Sequence, residues 1–251
     1  MNQAVSRYLQ ELHQTSLEQV QGARQAPQQV AFFDLDRTII AGYSLTALAR
    51  EKLRTRQLSV HQVLSLVWVF IRYGLGRCDY QGMLQAVVDS IKGMHEDDLK
   101  ALGRCAFNRQ LSKKVYQEAQ GLICAHRKRG HAVVMVTAAT RYQAEPIAEM
   151  LGIDDVCCTE LEIVDGQVSG RVAACYGVGK LNAAKTFCEN SDATLANAYF
   201  YTDSQDDLPL LEQVGHPVVV NGKRELIKVG EDKGWPSLQF QETHFDFNQA
   251  A

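Results

Sequence analysis

The chain has 251 residues, 46% hydrophobic and 22% charged, with a formal net charge of −3. That length allows one large or two small domains with a substantial core. The charge lacks the basic excess that a nucleic-acid partner requires. Seven scattered cysteines without a Cys-x-x-Cys, and seven histidines without ligand spacing, argue against a disulfide framework or a zinc site. They point instead to a reducing cytoplasm. No signal peptide is visible, and the longest apolar run, residues 63–71, is shorter than the roughly 20 residues of a membrane span.

Residues 1–28 are rich in Gln and read as one amphipathic helix. Val5, Tyr8, Leu9 and Leu12 form its stripe, which Leu17 and Val20 extend, and Gly22 and Pro27 break it. Packing on the domain, self-association and poor order are all left open. Val30, Ala31, Phe32 and Phe33 then predict a short buried strand, with Asp34 and Asp36 at its C-terminal end. Ligands of open α/β sheets bind outside the carboxyl ends of the strands. Two residues apart on an extended chain, the two carboxylates share a face, and such a pair invites a cation or a substrate. A turn followed by a helix cap would use the same two acids.

Ser44 is expected to cap a helix over 45–56. Further helices are expected over 60–73, 80–91, 96–107 and 113–129, the first of these apolar almost all round. A helical block thus interrupts a strand-based pattern, and such inserts usually sit over an active site as a lid. Residues 131–137 predict a buried strand, 142–151 a helix ending at Gly152, and 156–159 a short strand. A hairpin turning at Asp165 and Gly166 follows over 161–170. Beyond it come a helix (179–188), a strand (198–202) leading into Asp203, Asp206 and Asp207, and a helix (208–214). A strand (217–220), a helix (225–231), a last strand (237–240) and a loose tail from 241 complete the chain. This alternation predicts an α/β fold, a doubly wound and mostly parallel sheet, with an inserted all-helical unit.

Asp34 with Asp36, Thr137, Lys180, and Asp203 with Asp207 all fall at or beside expected strand ends, which open on one edge of a parallel sheet. Together they suit phosphoryl transfer. A carboxylate nucleophile forms an acyl phosphate, and a second carboxylate protonates the leaving oxygen and later deprotonates water. A hydroxyl and an ammonium hold the phosphoryl oxygens, and spare carboxylates bind Mg²⁺.

Asp34-Leu35-Asp36-Arg37-Thr38, Thr137, Lys180 and the run Asp203 to Asp207 resemble the four ordered motifs of the haloacid dehalogenase (HAD) superfamily. The stretches 160–171, 177–180 and 207–211 are similar to its phosphoserine-phosphatase-like branch (subfamily IB), and the helical insert resembles a C1 cap. The resemblance covers residues 29–240. It implies a core of residues 29–42 and 118–251, a cap over 43–117 and a helical extension over 1–28. It implies Asp34 as nucleophile and Mg²⁺ ligand, and Asp36 as general acid/base lending its carbonyl to the metal. Thr137 and Lys180 would bind phosphate, Asp203 would complete the metal site, and Asp207 would ligate through water or orient Lys180. Asp206 stands where relatives often carry Asn, and Lys185 is a weaker substitute for Lys180.

The expected enzyme is therefore a Mg²⁺-dependent, cytoplasmic phosphomonoesterase, monomeric or homodimeric. An intramolecular phosphotransferase and a phosphoacceptor regulatory domain are the alternatives; a halide-releasing dehalogenase would have little use for Asp36. The substrate is a small phosphorylated metabolite, phosphoserine-like or other. Arg50, Glu51, Arg54 and Arg72 are nearby cap candidates, and Tyr43 departs from the polar or acidic residue common in related sequences. An all-round apolar helix is normally core, so residues 63–71 are expected to be buried in the cap. An apolar-tailed substrate such as a lysophospholipid, or transient contact with a membrane surface, is the sharper reading.

Overall fold

The computed structural model describes residues 3–19, 29–55, 65, 67–69, 71–72, 75–153 and 155–243. Strand β1 (Val30–Phe33) is buried along its whole length. Its side chains alternate between two cores: Ala31 and Phe33 face one, Val30 and Phe32 the other. Around it lie β2 (Ala132–Thr140), β3 (Asp155–Val164), β4 (Gln167–Ala173), β5 (Tyr199–Thr202), β6 (His216–Val220) and β7 (Ser237–Leu238). Their order is β4-β3-β2-β1-β5-β6-β7, with every pair parallel except β3 and β4. The chain therefore winds outward from β1 in one direction, then crosses to its other side. The switch point lies between β1 and β5, where ligands of such sheets bind.

Helix α1 (Gln3–Gln19) docks on one face, with Val5 and Leu12 buried in the core of Phe33 and with Tyr8 and Leu9 packed against it. The N-terminal stripe thus packs on the domain; the side chain of Leu17, and Val20, lie outside the described residues. Among the described residues the insert between β1 and α5 (Gln117–Lys128) contains α2 (Ser44–Arg54), α3 (Tyr80–Asp89) and α4 (Glu96–Arg109), each with both ends defined. Helices α5 and α6 (Arg141–Leu151) share the α1 face, while α7 (Val178–Glu189), α8 (Leu208–Leu211) and α9 (Arg224–Lys233) cover the other. A satellite cluster of Val88, Leu99, Tyr142, Leu161 and Val168 joins the insert to α6 and the β3–β4 hairpin.

Several boundaries differ from the sequence expectation. Ser44 is the first residue of α2 and not its cap; Tyr43 holds the cap position without a side-chain bond. The helix expected over 113–129 is broken because Val115, fully buried, leaves a 3₁₀ turn (Leu111–Lys114) to pair with Ile40. Strand β2 runs on to Thr140, and the two strands expected over 156–164 are one. The hairpin turn is as expected, with φ of 49° at Asp165 and 76° at Gly166. Gln241 and Glu242 are no loose tail, since their N–H groups donate to the buried Glu118 carboxylate. Much of the helix expected over 60–73 lies outside the described residues. Its described members Val67, Trp68 and Ile71 are 49%, 59% and 46% exposed, so this face is not core.

A Cβ on Gly103 in α4 would run into the backbone carbonyl of Tyr142 in α6. Gly103→Ala should therefore push the insert off α6 and destabilise the fold by about 1–3 kcal/mol, read as a lower urea midpoint.

Candidate active site

The edge of the sheet beyond β1 and β5 gathers the acidic residues. The Asp34 N–H donates to the Tyr201 carbonyl at 2.9 Å, which carries the β1–β5 ladder one residue past the end of β1. Lys180 Nζ lies 2.7 Å from Asp34 Oδ1 and 2.7 Å from Asp207 Oδ2, and all three residues are 5% exposed or less. The Thr202 hydroxyl donates to the same Asp207 oxygen at 2.6 Å and so fixes its rotamer. Lys180 is the third residue of α7, near a helix N-terminus that disfavours a cation; two carboxylates offset that cost. Two glycines allow the approach. Gly177 has φ of 53°, and a Cβ on Gly179 would meet the Ala174 carbonyl oxygen at 2.5 Å.

Asp36 leaves the strand in a tight loop, in which Leu35 O accepts from the N–H groups of Ile39 and Ile40. Its Oδ1 accepts from the Ser44 N–H at 2.7 Å, so the first turn of α2 orients this carboxyl. Thr137 lies inside β2, where the pairing with β3 shifts register, and not at its end. Its buried hydroxyl accepts from the Ala139 N–H at 3.1 Å, which leaves its own proton to donate. It does not cap α6; Thr140 does so with Gln143.

Burial and crowding dominate the electrostatics. Lys180 is held in its charged form, well above the usual lysine value, by Asp207 and Asp34 against its own burial. Asp34 is pushed up to about 8 by burial, with the carboxylates of Asp207 and Asp203 adding to the push against Lys180. Burial likewise raises Asp36, against the bonds from Ser44. Asp203 rises to about 6, chiefly through burial and against the nearby Arg37 guanidinium.

The family model for haloacid dehalogenase-like hydrolases matches residues 31–212, which spans every residue of this cluster. The chain belongs to that family. A probable phosphatase of Mycobacterium tuberculosis is 34% identical over 84% of this chain and 75% of its own length. A phosphoserine phosphatase of the same organism is 26% identical over 84% of this chain and 70% of its own. A solved phosphoserine phosphatase, an analogue of its phospho-aspartyl intermediate, superposes with a TM-score of 0.60 at 16% identity. It covers 87% of this chain and 96% of that one. This HAD hydrolase is a phosphatase of the phosphoserine-phosphatase-like branch.

Sequence reasoning missed Arg37, Thr202, Ser44 and Asn221. Arg37, in a left-handed conformation with φ of 62°, places Nε 3.3 Å from Asp203 Oδ2. Asn221 holds it there: its Nδ2 donates to Arg37 O at 2.9 Å and its carbonyl accepts from Arg37 Nη2 at 3.1 Å. Arg37 lies within the first motif and Thr202 adjoins Asp203, a signal that was available. Asn221 gave none, because its role depends on β6 lying beside β5. Asp206 is exposed and bonded to Ser204, and Lys185 is exposed, so neither joins the cluster. Arg50 bonds to Gln110, while Arg54 and Arg109 are paired with Glu51.

Among the described residues, four carboxylates here face Lys180 and Arg37, with Lys114 acting on Asp36 from outside the cluster. That surplus suits a hard divalent cation, which takes one or two carboxylates and completes its shell with water and phosphate oxygens. Among the described residues no three acidic, His or Cys side chains form a ready-made cage, and such a cation needs none.

The raised Asp34 makes the metal-free protein sensitive to pH. Its folded value of about 8 exceeds the ordinary 3.8, so the folded state binds the extra proton. That stabilisation is complete below the unfolded value and is lost as pH rises through the folded one. In a chelator, the melting temperature of wild type minus that of Asp34→Asn should fall from pH 5 to pH 8 and then level off.

Proposed function

We propose that this phosphatase is a Mg²⁺-dependent phosphomonoesterase working through an aspartyl-phosphate on Asp34. The observation that carries this reading is the buried Lys180, 2.7 Å from both Asp34 and Asp207 at the sheet's switch point. An ammonium there neutralises phosphoryl oxygens as charge shifts in the transition state. Asp34 Oδ attacks phosphorus, and the bond to the leaving oxygen breaks as Asp36 protonates that oxygen. Burial favours the protonated form of Asp36, as a general acid requires. In the second half Asp36 takes a proton from water, whose oxygen attacks the phosphoryl group and releases Asp34. Thr137 donates its free hydroxyl proton to a phosphoryl oxygen, and Asp207, fixed by Thr202, holds Lys180 in place. Asp34, Asp203 and the Asp36 carbonyl would hold Mg²⁺, which when bound neutralises phosphate charge and keeps Asp34 ionised. Arg37 steadies Asp203 for that task.

Residues 43–117 act as a C1 cap on a core of 29–42 and 118–251, with residues 1–28 an extension. The substrate is a small phosphomonoester admitted beneath that cap. Tyr43, half exposed beside the Arg37 guanidinium, favours an apolar or aromatic neighbour over the ammonium of phosphoserine, so an apolar-tailed phosphate belongs in the panel. All seven cysteines are free thiols, which fits a cytoplasmic site of action.

Hydrolysis of an aryl phosphate should require Mg²⁺ and fall by about a thousandfold or more in Asp34→Asn, which keeps shape but loses the nucleophile. Asp36→Asn should slow it by about 10²–10⁴-fold and accumulate phosphoenzyme, seen by intact mass. Wild-type turnover in Asp34→Asn would overturn the mechanism.

A further inference from the structure

Residues 50–77 carry six Lys or Arg against one acid, Glu51, so this stretch is net +5 while the rest of the chain is net −8. Glu51 is buried and paired with Arg54, which leaves the outward charge of the stretch positive. Among its described residues, Val67, Trp68 and Ile71 fall on one side of a helical stretch and are 49%, 59% and 46% exposed. Leu75 continues the patch at 64% exposed, and Arg72 and Arg77 beside it are exposed as well.

We propose that this face docks on an anionic lipid surface. An apolar side with a Trp, edged by arginines, is the chemistry that lies in the plane of a headgroup layer, with rings and aliphatics below and guanidiniums at the phosphates. Among the described residues no helix is long and apolar enough to cross a membrane, so contact is peripheral. A second copy of the chain is a poorer occupant, because pairing the face with itself would bring Arg72 and Arg77 against their own equivalents. The segments that flank the stretch are bonded to the sheet edge. Ser44 N–H donates to Asp36, and Tyr80 Oη donates to the Ala138 carbonyl, next to Thr137. Binding through this face depends on its exposure and charge and not on which phosphomonoester the site accepts.

The test is co-sedimentation of the full chain with vesicles of phosphatidylcholine alone and of phosphatidylcholine mixed with phosphatidylglycerol. The chain has two tryptophans, so Trp235→Phe leaves Trp68 as the reporter. Binding is expected only to the anionic vesicles, weakening with salt, with a blue shift of Trp68 emission. Arg72→Gln and Arg77→Gln should each lower the partition coefficient about fivefold. Trp68→Ser with Ile71→Ser should abolish binding at an unchanged melting temperature. No binding by wild type to anionic vesicles, or undiminished binding by the Trp68/Ile71 variant, overturns the proposal. So does a dimer, found by light scattering without vesicle binding, that the same variant converts to monomer.

Discussion

Everything at the sheet edge depends on one ammonium group held between two carboxyl groups out of water. Lys180 is 3% exposed and meets Asp34 and Asp207 at equal distance. An unpaired charge at that depth would be strongly destabilising, and so would either acid without its partner. The three side chains therefore form only as a set. Their set requires β1, β5 and the N-terminus of α7 to converge, so the chemistry of the site and the topology of the sheet are one constraint.

The insert shares in that constraint. The Ser44 N–H that orients Asp36 belongs to the first turn of α2, and the Ser44 hydroxyl accepts from Gln143 of α6 at 2.9 Å. At its return, Tyr80 stacks on Tyr176 with centroids 3.6 Å apart, just ahead of the loop that delivers Lys180. A displacement of the insert is thus felt at Asp36 and at the approach to Lys180. This gives a physical route by which what binds the insert affects the geometry at Asp36 and Lys180.

On the opposite side of β1 the structure answers to packing. Phe33 stacks on Tyr201 with centroids 4.4 Å apart, Tyr201 Oη lies 2.8 Å from His126 Nε2, and Tyr8 of α1 sits edge-on to the same ring. Burial pushes His126 well below the usual histidine range, so this network is neutral and serves as a polar seam in an apolar layer. It backs the two strands that end in Asp34 and Asp203, which gives α1 a part in keeping those ends in place.

The strands, the order of the acidic and basic residues, and the hairpin at Asp165 and Gly166 were legible in the sequence, because each is set by local pattern. Four apolar residues before two acids make a buried strand wherever the sheet lies, and a turn with positive φ at both positions selects Asp-Gly. Other features were not legible. Val115 breaks a helical pattern because Ile40, far away in sequence, offers it a strand partner. Ser44 gives up the cap role because it is drawn into the helix, its N–H bonded to Asp36 and its hydroxyl to Gln143, and Arg37 is aimed at Asp203 by an asparagine just past the end of β6. The patch at Val67, Trp68 and Ile71 looked like core from its composition, and only tertiary structure exposes it. The sequence by itself determined the order of the acidic and basic residues along the chain and that a helical block interrupts the sheet. Tertiary structure decided which of those groups touch and which apolar face is left uncovered, since contact across β1, β5 and β6 depends on neighbours that no local pattern encodes.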